Sequence, residues 1–141
     1  IRRLSEAGVP VVVQIAPVIP AINDMEIERL LEAAWQAGAR GAVYLLVRLP
    51  YEVSDLFRGW LEEHFPDRAS KVMNLIRSMR NGRDNDPNFG SRMRGTGPYA
   101  DLIDNRFNKS CRKHGFEKRK YDLRTDLFIA PSPPSAQLDL F

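Results

Sequence analysis

Two apolar stretches, residues 11–16 and 41–49, each carry polar side chains where a strand would bury them. By the two-residue alternation of a strand, Val12, Gln14 and Ala16 share one face of the first, and Tyr44, Leu46 and Arg48 share one face of the second. A buried amide or guanidinium is costly unless hydrogen-bonded, so Gln14 and Arg48 are expected to look into a polar interior. Arg48, at a strand end, has the forked geometry to bind a carboxylate or phosphate. The alternative is a structural Arg48 paired with an acid on a strand that this sequence does not include. A second group of chemistry-bearing residues is Arg77, Arg80, Arg83, Phe89, Arg92 and Arg94, spread through a glycine-containing segment. Such a segment can follow a phosphate backbone and stack an exposed base, or it can cover the open side of an incomplete sheet. Cys111 is the single cysteine, which excludes an internal disulfide and a cysteine-only metal site. A buried small side chain is its default role. His64, beside Leu61 and Phe65, and His114, before Gly115, form no metal-ligand spacing with Cys111.

The elements that must hold these residues follow from periodicity. Glu6-Ala7-Gly8 and Gln36-Ala37-Gly38 end two helical patterns 30 positions apart, each followed by an apolar strand pattern. A glycine after a helix supplies the left-handed residue that stops it. Between the strands, Ile27, Leu30, Leu31, Ala34 and Trp35 mark one helical stripe, with Asn23 and Glu26 spaced as an N-cap and its reaching carboxylate. Strand, helix, parallel strand is the predicted order. After Pro50 the period is helical: Val53, Leu56, Phe57, Trp60, Leu61 and Phe65 with Ser54 as cap, then Val72, Met73, Ile76 and Met79 after Pro66. Residues 82–98 hold four glycines and two prolines, a loop too long for a plain connection. Tyr99, Leu102, Ile103 and Phe107 predict a last helix stopped by Gly115. From Phe128 onward, prolines and serines predict a tether without a core.

With 43% hydrophobic and 28% charged residues among 141, the chain has the composition of a globular domain. Its longest apolar run is interrupted by Pro10, Gln14, Pro17 and Pro20 and falls short of the roughly 20 residues a bilayer requires. A cytoplasmic location fits the lone cysteine. Residues 77–124 contain 13 Lys/Arg against 6 Asp/Glu, which makes this half the candidate for a phosphate-rich partner such as DNA or, equally, a solvated surface. Because the chain opens within a helical pattern and two strands cannot close a sheet, it is expected to be part of a longer protein.

Several blocks together resemble one family. Ile1-Arg2-Arg3-Leu4 with Ala7-Gly8-Val9-Pro10, Ala16-Pro17-Val18-Ile19-Pro20-Ala21-Ile22-Asn23-Asp24, and Leu49-Pro50 are similar to the closing units of radical S-adenosylmethionine enzymes of the spore photoproduct lyase-like, DNA repair photolyase group. Trp60-Leu61-Glu62-Glu63-His64-Phe65-Pro66-Asp67-Arg68, Phe89-Gly90-Ser91-Arg92-Met93-Arg94-Gly95 and Gly97-Pro98-Tyr99-Ala100 resemble that group's C-terminal extension. The resemblance implies an α/β fold: the last two β/α units of a partial (β/α)6 TIM-type barrel over residues 1–50, an α-helical extension with a basic loop over 51–127, and a flexible tail over 128–141. It implies a [4Fe-4S] cluster and S-adenosylmethionine, cleaved to a 5′-deoxyadenosyl radical, in a lyase-like enzyme. It places the adenosyl group along Ala16, Pro17 and Val18 and along Leu49 and Pro50, beside Gln14 and Arg48. In such enzymes a cysteine can donate a hydrogen atom, which makes Cys111 a catalytic candidate. The family's C-x3-C-x2-C ligand run is missing here, so this part alone is expected to be inert, and Ala21 stands where the family commonly has glycine.

Gln137-Leu138-Asp139-Leu140-Phe141 resembles the pentapeptide by which bacterial repair proteins dock on the DNA sliding clamp. An amide for orientation and the apolar anchors Leu138, Leu140 and Phe141 on a flexible tether suit a shallow pocket; a tail folding back onto its own domain is the alternative. A non-catalytic, DNA-associated module using the basic segment and this tail is the second functional reading of the chain.

Overall fold

The structure, a computed structural model, describes residues 1–116 together with 126, 128 and 129. Strands β1 (Val12–Val18) and β2 (Gly41–Leu46) pair in parallel, joined through a 3-10 turn over Asp24–Glu26 and helix α2 (Ile27–Gln36). A short helix α1 (Arg2–Glu6) precedes them, and α3 (Val53–His64), α4 (Pro66–Ser78) and α5 (Pro98–His114) follow. No helix among the described residues is long and apolar enough to cross a membrane.

The 30-residue repeat is visible in the backbone. Gly8 and Gly38 have φ of 76° and 104°, and the next amide in each case reaches back to a helical carbonyl, Val9 N to Leu4 O and Ala39 N to Ala34 O, both at 2.9 Å. This is how a left-handed residue satisfies the last carbonyls of a helix while turning the chain into a strand. Ser5 Oγ donates to Gly38 O, tying the two helix ends together.

Two apolar clusters organise the rest. The first joins Ile15, Val18, Tyr44 and Leu46 of the sheet to Ile27, Leu31 and Ala34 of α2 and Ala100, Ile103, Phe107 and Cys111 of α5. The last helix therefore packs on the same core as the strands, although sequence pattern groups it with the helical extension. The second cluster, Val47, Leu49, Leu61, Val72, Met73 and Ile76, holds α3 and α4 against the chain leaving β2. Leu31 and Ile103 are fully buried, and full burial of such a side chain contributes roughly 1.5–3 kcal/mol.

Three local expectations differ from the structure. Asn23 makes no side-chain cap to the following turn; its Oδ1 accepts from Ile19 N at 2.7 Å and its Nδ2 donates to Pro17 O, so it ties the turn after β1 to itself. Ala21 takes φ 57° there, the conformation a glycine would hold at less strain. Ser54 lies inside α3, where its hydroxyl donates to Asp84. Of the α3 stripe only Leu61 is buried; Leu56 is 70% exposed, because α4 covers one side of that helix alone.

Asp84 accepts from Ser54 Oγ at 2.9 Å, from Arg77 Nε at 2.8 Å and from Arg58, linking α3, α4 and the loop after α4. Burial alone would raise its carboxyl pKa, but the three donors outweigh it and hold the group below the ordinary carboxylate range. With the folded pKa depressed, this contribution to stability is present above the unfolded pKa and disappears as pH falls through the folded one. Asp84→Asn is expected to lower stability at neutral pH by about 1–3 kcal/mol and to weaken its dependence on acid. Denaturant unfolding of both proteins across the acid range checks this, and parallel pH curves would contradict it.

Candidate functional site

The loop between α4 and α5 is built over the end of β2. At its root, Arg80 is 2% exposed, and its guanidinium donates to three carbonyls: Val47 O at 3.0 Å, Ser91 O at 3.2 Å and Arg92 O at 2.6 Å. Burial pulls its pKa below the ordinary guanidinium value, Asp86 opposes that shift, and the charge of Arg48 adds to it. Asp86, also buried, accepts from Ser91 Oγ and from Asn88 N, and these donors hold its carboxyl below the usual range. Met93 O accepts from Leu46 N at 2.9 Å, so the loop takes the hydrogen-bonding position beside the last residue of β2.

The basic side chains of this loop have separate fates. Arg80 is committed to backbone and is closed to a phosphate, which corrects its assignment to a nucleic-acid surface: the carbonyls around it leave no free donor edge toward solvent. Arg77 is paired with Asp84. Arg94 lies 4.0 Å above the Tyr44 ring and 3.6 Å from Asp104, so it braces β2 against α5. Arg83 is exposed, and Arg92 sits 3.8 Å over the ring of Phe89, which is 84% exposed. Phe89, Arg92 and Arg83 thus remain available to a partner.

The strand residues also separate. Pairing of Ile15 with Tyr44 and of Gln14 with Val43 puts Gln14 on the face opposite Tyr44. This corrects the expectation that Gln14 and the Tyr44, Leu46 series share one interior. Val13, Ile15 and Tyr44 face the helices; Val12, Gln14 and Ala16 are exposed on the other side. Pro17 is exposed as well, and its carbonyl accepts from Asn23. Val18 and Leu49 are 1% and 2% exposed, so their side chains are closed to a ligand, and Val18 O already accepts from Val47 N. Pro50 is partly exposed.

Three buried polar atoms remain without a hydrogen-bond partner at this end: Arg48 Nε, Asn85 Oδ1 and Arg92 Nε. Buried polar groups are paired in the great majority of cases, so orphaned ones ask for a water, an ion or a ligand. Arg48 directly follows Val47, and Arg92 directly follows Ser91, two residues whose carbonyls share the Arg80 guanidinium. Arg48 and Arg92, each adjoining a carbonyl that Arg80 holds, therefore make a polar rim at the C-terminal end of β2, where open and closed parallel sheets bind their ligands, and Asn85 belongs to the same loop. Asn85 has no signature in the sequence, since an asparagine in a polar loop carries no signal until its environment is known.

Cys111 is 7% exposed on α5, inside the helix-side core, and away from that rim. No group of three or more His, Cys, Asp or Glu side chains able to hold a metal occurs among the described residues. Gln137, Leu138, Leu140 and Phe141 lie outside the described residues. Compared with known proteins, no family model, no curated protein and no solved structure matches the chain.

Replacing Arg80 by Ala is expected to leave three carbonyls, that of Val47 buried, without their donor and to free the loop from β2. Amide hydrogen exchange at Leu46 should then accelerate by at least tenfold, the equivalent of about 1.4 kcal/mol. Arg80→Lys should not restore protection, because a single ammonium cannot reproduce the planar fork. Wild-type protection at Leu46 in either variant would contradict this role.

Proposed function

We propose that the chain is the C-terminal part of a radical S-adenosylmethionine enzyme of the spore photoproduct lyase-like group, acting on DNA. The observation that carries this reading is the state of the sheet. Two parallel strands are covered by α2 and α5 on one face only, Val12, Gln14 and Ala16 stand exposed on the other, and β1 has β2 as its sole strand partner among the described residues. Parallel sheets occur almost only with both faces covered, and a pair of strands is marginal by itself. Closing units of a larger barrel, with Gln14 toward its lumen, satisfy both requirements.

The cofactor set fits in part. A [4Fe-4S] cluster needs several thiolates, and Cys111 on the helix side offers one, so these residues do not fit the cluster and its ligands belong to other parts of the protein. S-adenosylmethionine supplies a carboxylate and polar edges. The unpartnered Arg48 Nε, on the chain leaving β2, is suited to receive that carboxylate. In this reading the protein's own residues orient the cofactor and cover it with the loop fixed by Arg80.

The coding sequence preceding Ile1 is expected to contain C-x3-C-x2-C. The full protein, purified without oxygen, should cleave S-adenosylmethionine to 5′-deoxyadenosine and methionine. Arg48→Ala should reduce that cleavage by about 10- to 100-fold, the scale of a lost hydrogen bond to a charged group. A full-length protein without the cysteine run would sink the enzyme reading.

The exposed Phe89 with Arg92 over its ring favours a second reading, a DNA-associated module without catalysis that also docks on a sliding clamp through its last five residues. The chain by itself should then bind single-stranded DNA with salt-sensitive affinity, and Phe89→Ala should weaken binding about tenfold, within the range for one stacked base. Clamp binding should vanish in the Leu140→Ala, Phe141→Ala double variant. DNA affinity that ignores salt leaves the loop as a cover over the strand ends.

A further inference from the structure

A cleft of about 630 Å³ runs between α2 and α5, on the helix side of the sheet and thus across the core from the exposed Gln14 face. Its walls are Glu28, Arg29 and Glu32 of α2 and Arg106, Lys109, Ser110, Lys113 and His114 of α5. The two helices run in the same direction, with Glu28 at the start of α2 beside Arg106 in the middle of α5 and Trp35 against Phe116 just past the end of α5. Positions 106, 109, 110, 113 and 114 form one continuous stripe on α5.

The charges in the cleft are not all used by the fold. Arg106 and Glu28 hold each other in two hydrogen bonds of 2.8 and 2.7 Å, which neutralises that pair and fixes one end of the cleft. Arg29 is engaged by Glu26 outside the cleft. Lys109 and Lys113 have no ion pair among the described residues, and they stand one helical turn apart. Basic residues in the last turn complement the helix dipole, which accounts for Lys113 and His114 but not for Lys109.

Ser110 supplies the independent observation. It is 5% exposed, the one lining residue that is buried, and its Oγ has no hydrogen-bond partner among the described residues. A serine inside a helix commonly returns its hydroxyl to the carbonyl one turn earlier, and a buried hydroxyl left without a partner costs about 1–3 kcal/mol. Glu32 of α2 is a lining carboxylate that also has no ion pair among the described residues, and against Lys109 and Lys113 it leaves the unpaired lining charge positive by one. An unpartnered donor in the cleft wall, with two unpaired ammonium groups on the adjoining turns, is complementary to an oxyanion.

We propose that the α2–α5 cleft is a binding site for a small organic oxyanion, a phosphomonoester or a carboxylate, received by Ser110 Oγ and by the ammonium groups of Lys109 and Lys113. The cleft volume lies in the range of small-molecule sites. The proposal does not depend on the enzymatic reading, since none of these residues belongs to the strand-end rim.

The test uses the chain as it stands, with glycerol 3-phosphate and citrate as separate probes and choline as the cationic control. Amide chemical shifts of residues 109–113 should move and saturate with one anionic probe or with both, which also separates phosphate from carboxylate recognition, and should not move with choline. Ser110→Ala should weaken binding about tenfold and Lys109→Gln with Lys113→Gln should abolish it. Without ligand, Ser110→Ala should be as stable as the native chain or more so, because it removes an unsatisfied hydroxyl and introduces a better helix former. Loss of stability in Ser110→Ala would mean that the hydroxyl serves the fold and would overturn the proposal. Shifts that fail to saturate with either anion, or that Ser110→Ala leaves unchanged, would overturn it as well.

Discussion

A single buried guanidinium governs the end of the molecule that carries the candidate site. Arg80, two residues past the end of α4, places donors on the chain leaving β2 and on the far limb of the following loop. A charge taken out of water is tolerable only when its donors are met, and here backbone carbonyls meet them while Asp86 supplies a nearby opposite charge. Its consequence is geometric: once the limb at 91–92 is fixed, Met93 O falls where Leu46 N requires an acceptor. Gly95 follows at φ 71°, and a Cβ there would stand 3.0 Å from Leu46 Cδ1 and 3.2 Å from Met79 O. Close approach of loop to strand thus demands glycine at that point.

The same economy of polar contacts positions α5. Tyr99 donates to Asp24 at 2.7 Å, and burial together with that carboxylate pushes its phenol up to about 12, so it remains a donor throughout the ordinary pH range. Tyr44 donates to Asp104, packs its ring on Phe107 and receives Arg94 on its other contacts. Burial, ahead of the neighbouring charges, raises its pKa. With Glu28 and Arg106 these contacts lock α5 beside α2 and over the sheet. The sheet therefore has one finished face and one open face, and two polar features lie on different sides of the core: the rim of Arg48 and Arg92 at the end of β2, and the α2–α5 cleft lined by Ser110.

How far the sequence could be read depended on the range of the interaction. Both strands, the parallel order, the glycine stops at Gly8, Gly38 and Gly115 and the buried face of α4 follow from patterns within a few residues, and local sterics and periodicity write those directly; the α2 stripe holds at Ile27, Leu31 and Ala34 but not at Leu30, which is exposed. Caps were less legible: Asn23 and Ser54 have the right type and spacing, but their side chains found better partners in a neighbouring turn and in a distant carboxylate. The arginine-rich loop was legible as a basic segment and no further, because composition cannot separate an arginine spent on carbonyls from one held over an exposed ring.

The sequence by itself determined a β-α-β unit followed by helices, a basic second half and the residues able to do chemistry. Only the tertiary structure decided that Gln14 and Tyr44 point to opposite faces, that Arg80 is sealed while Arg48, Asn85 and Arg92 keep unpartnered atoms, and that Ser110 lines a cleft between two helices with Lys109 and Lys113 beside it. Register, burial and hydrogen-bond partnership are properties of pairs of segments far apart in the chain, and a pair's geometry is set by the packing of the whole core and not by the residue types at either end.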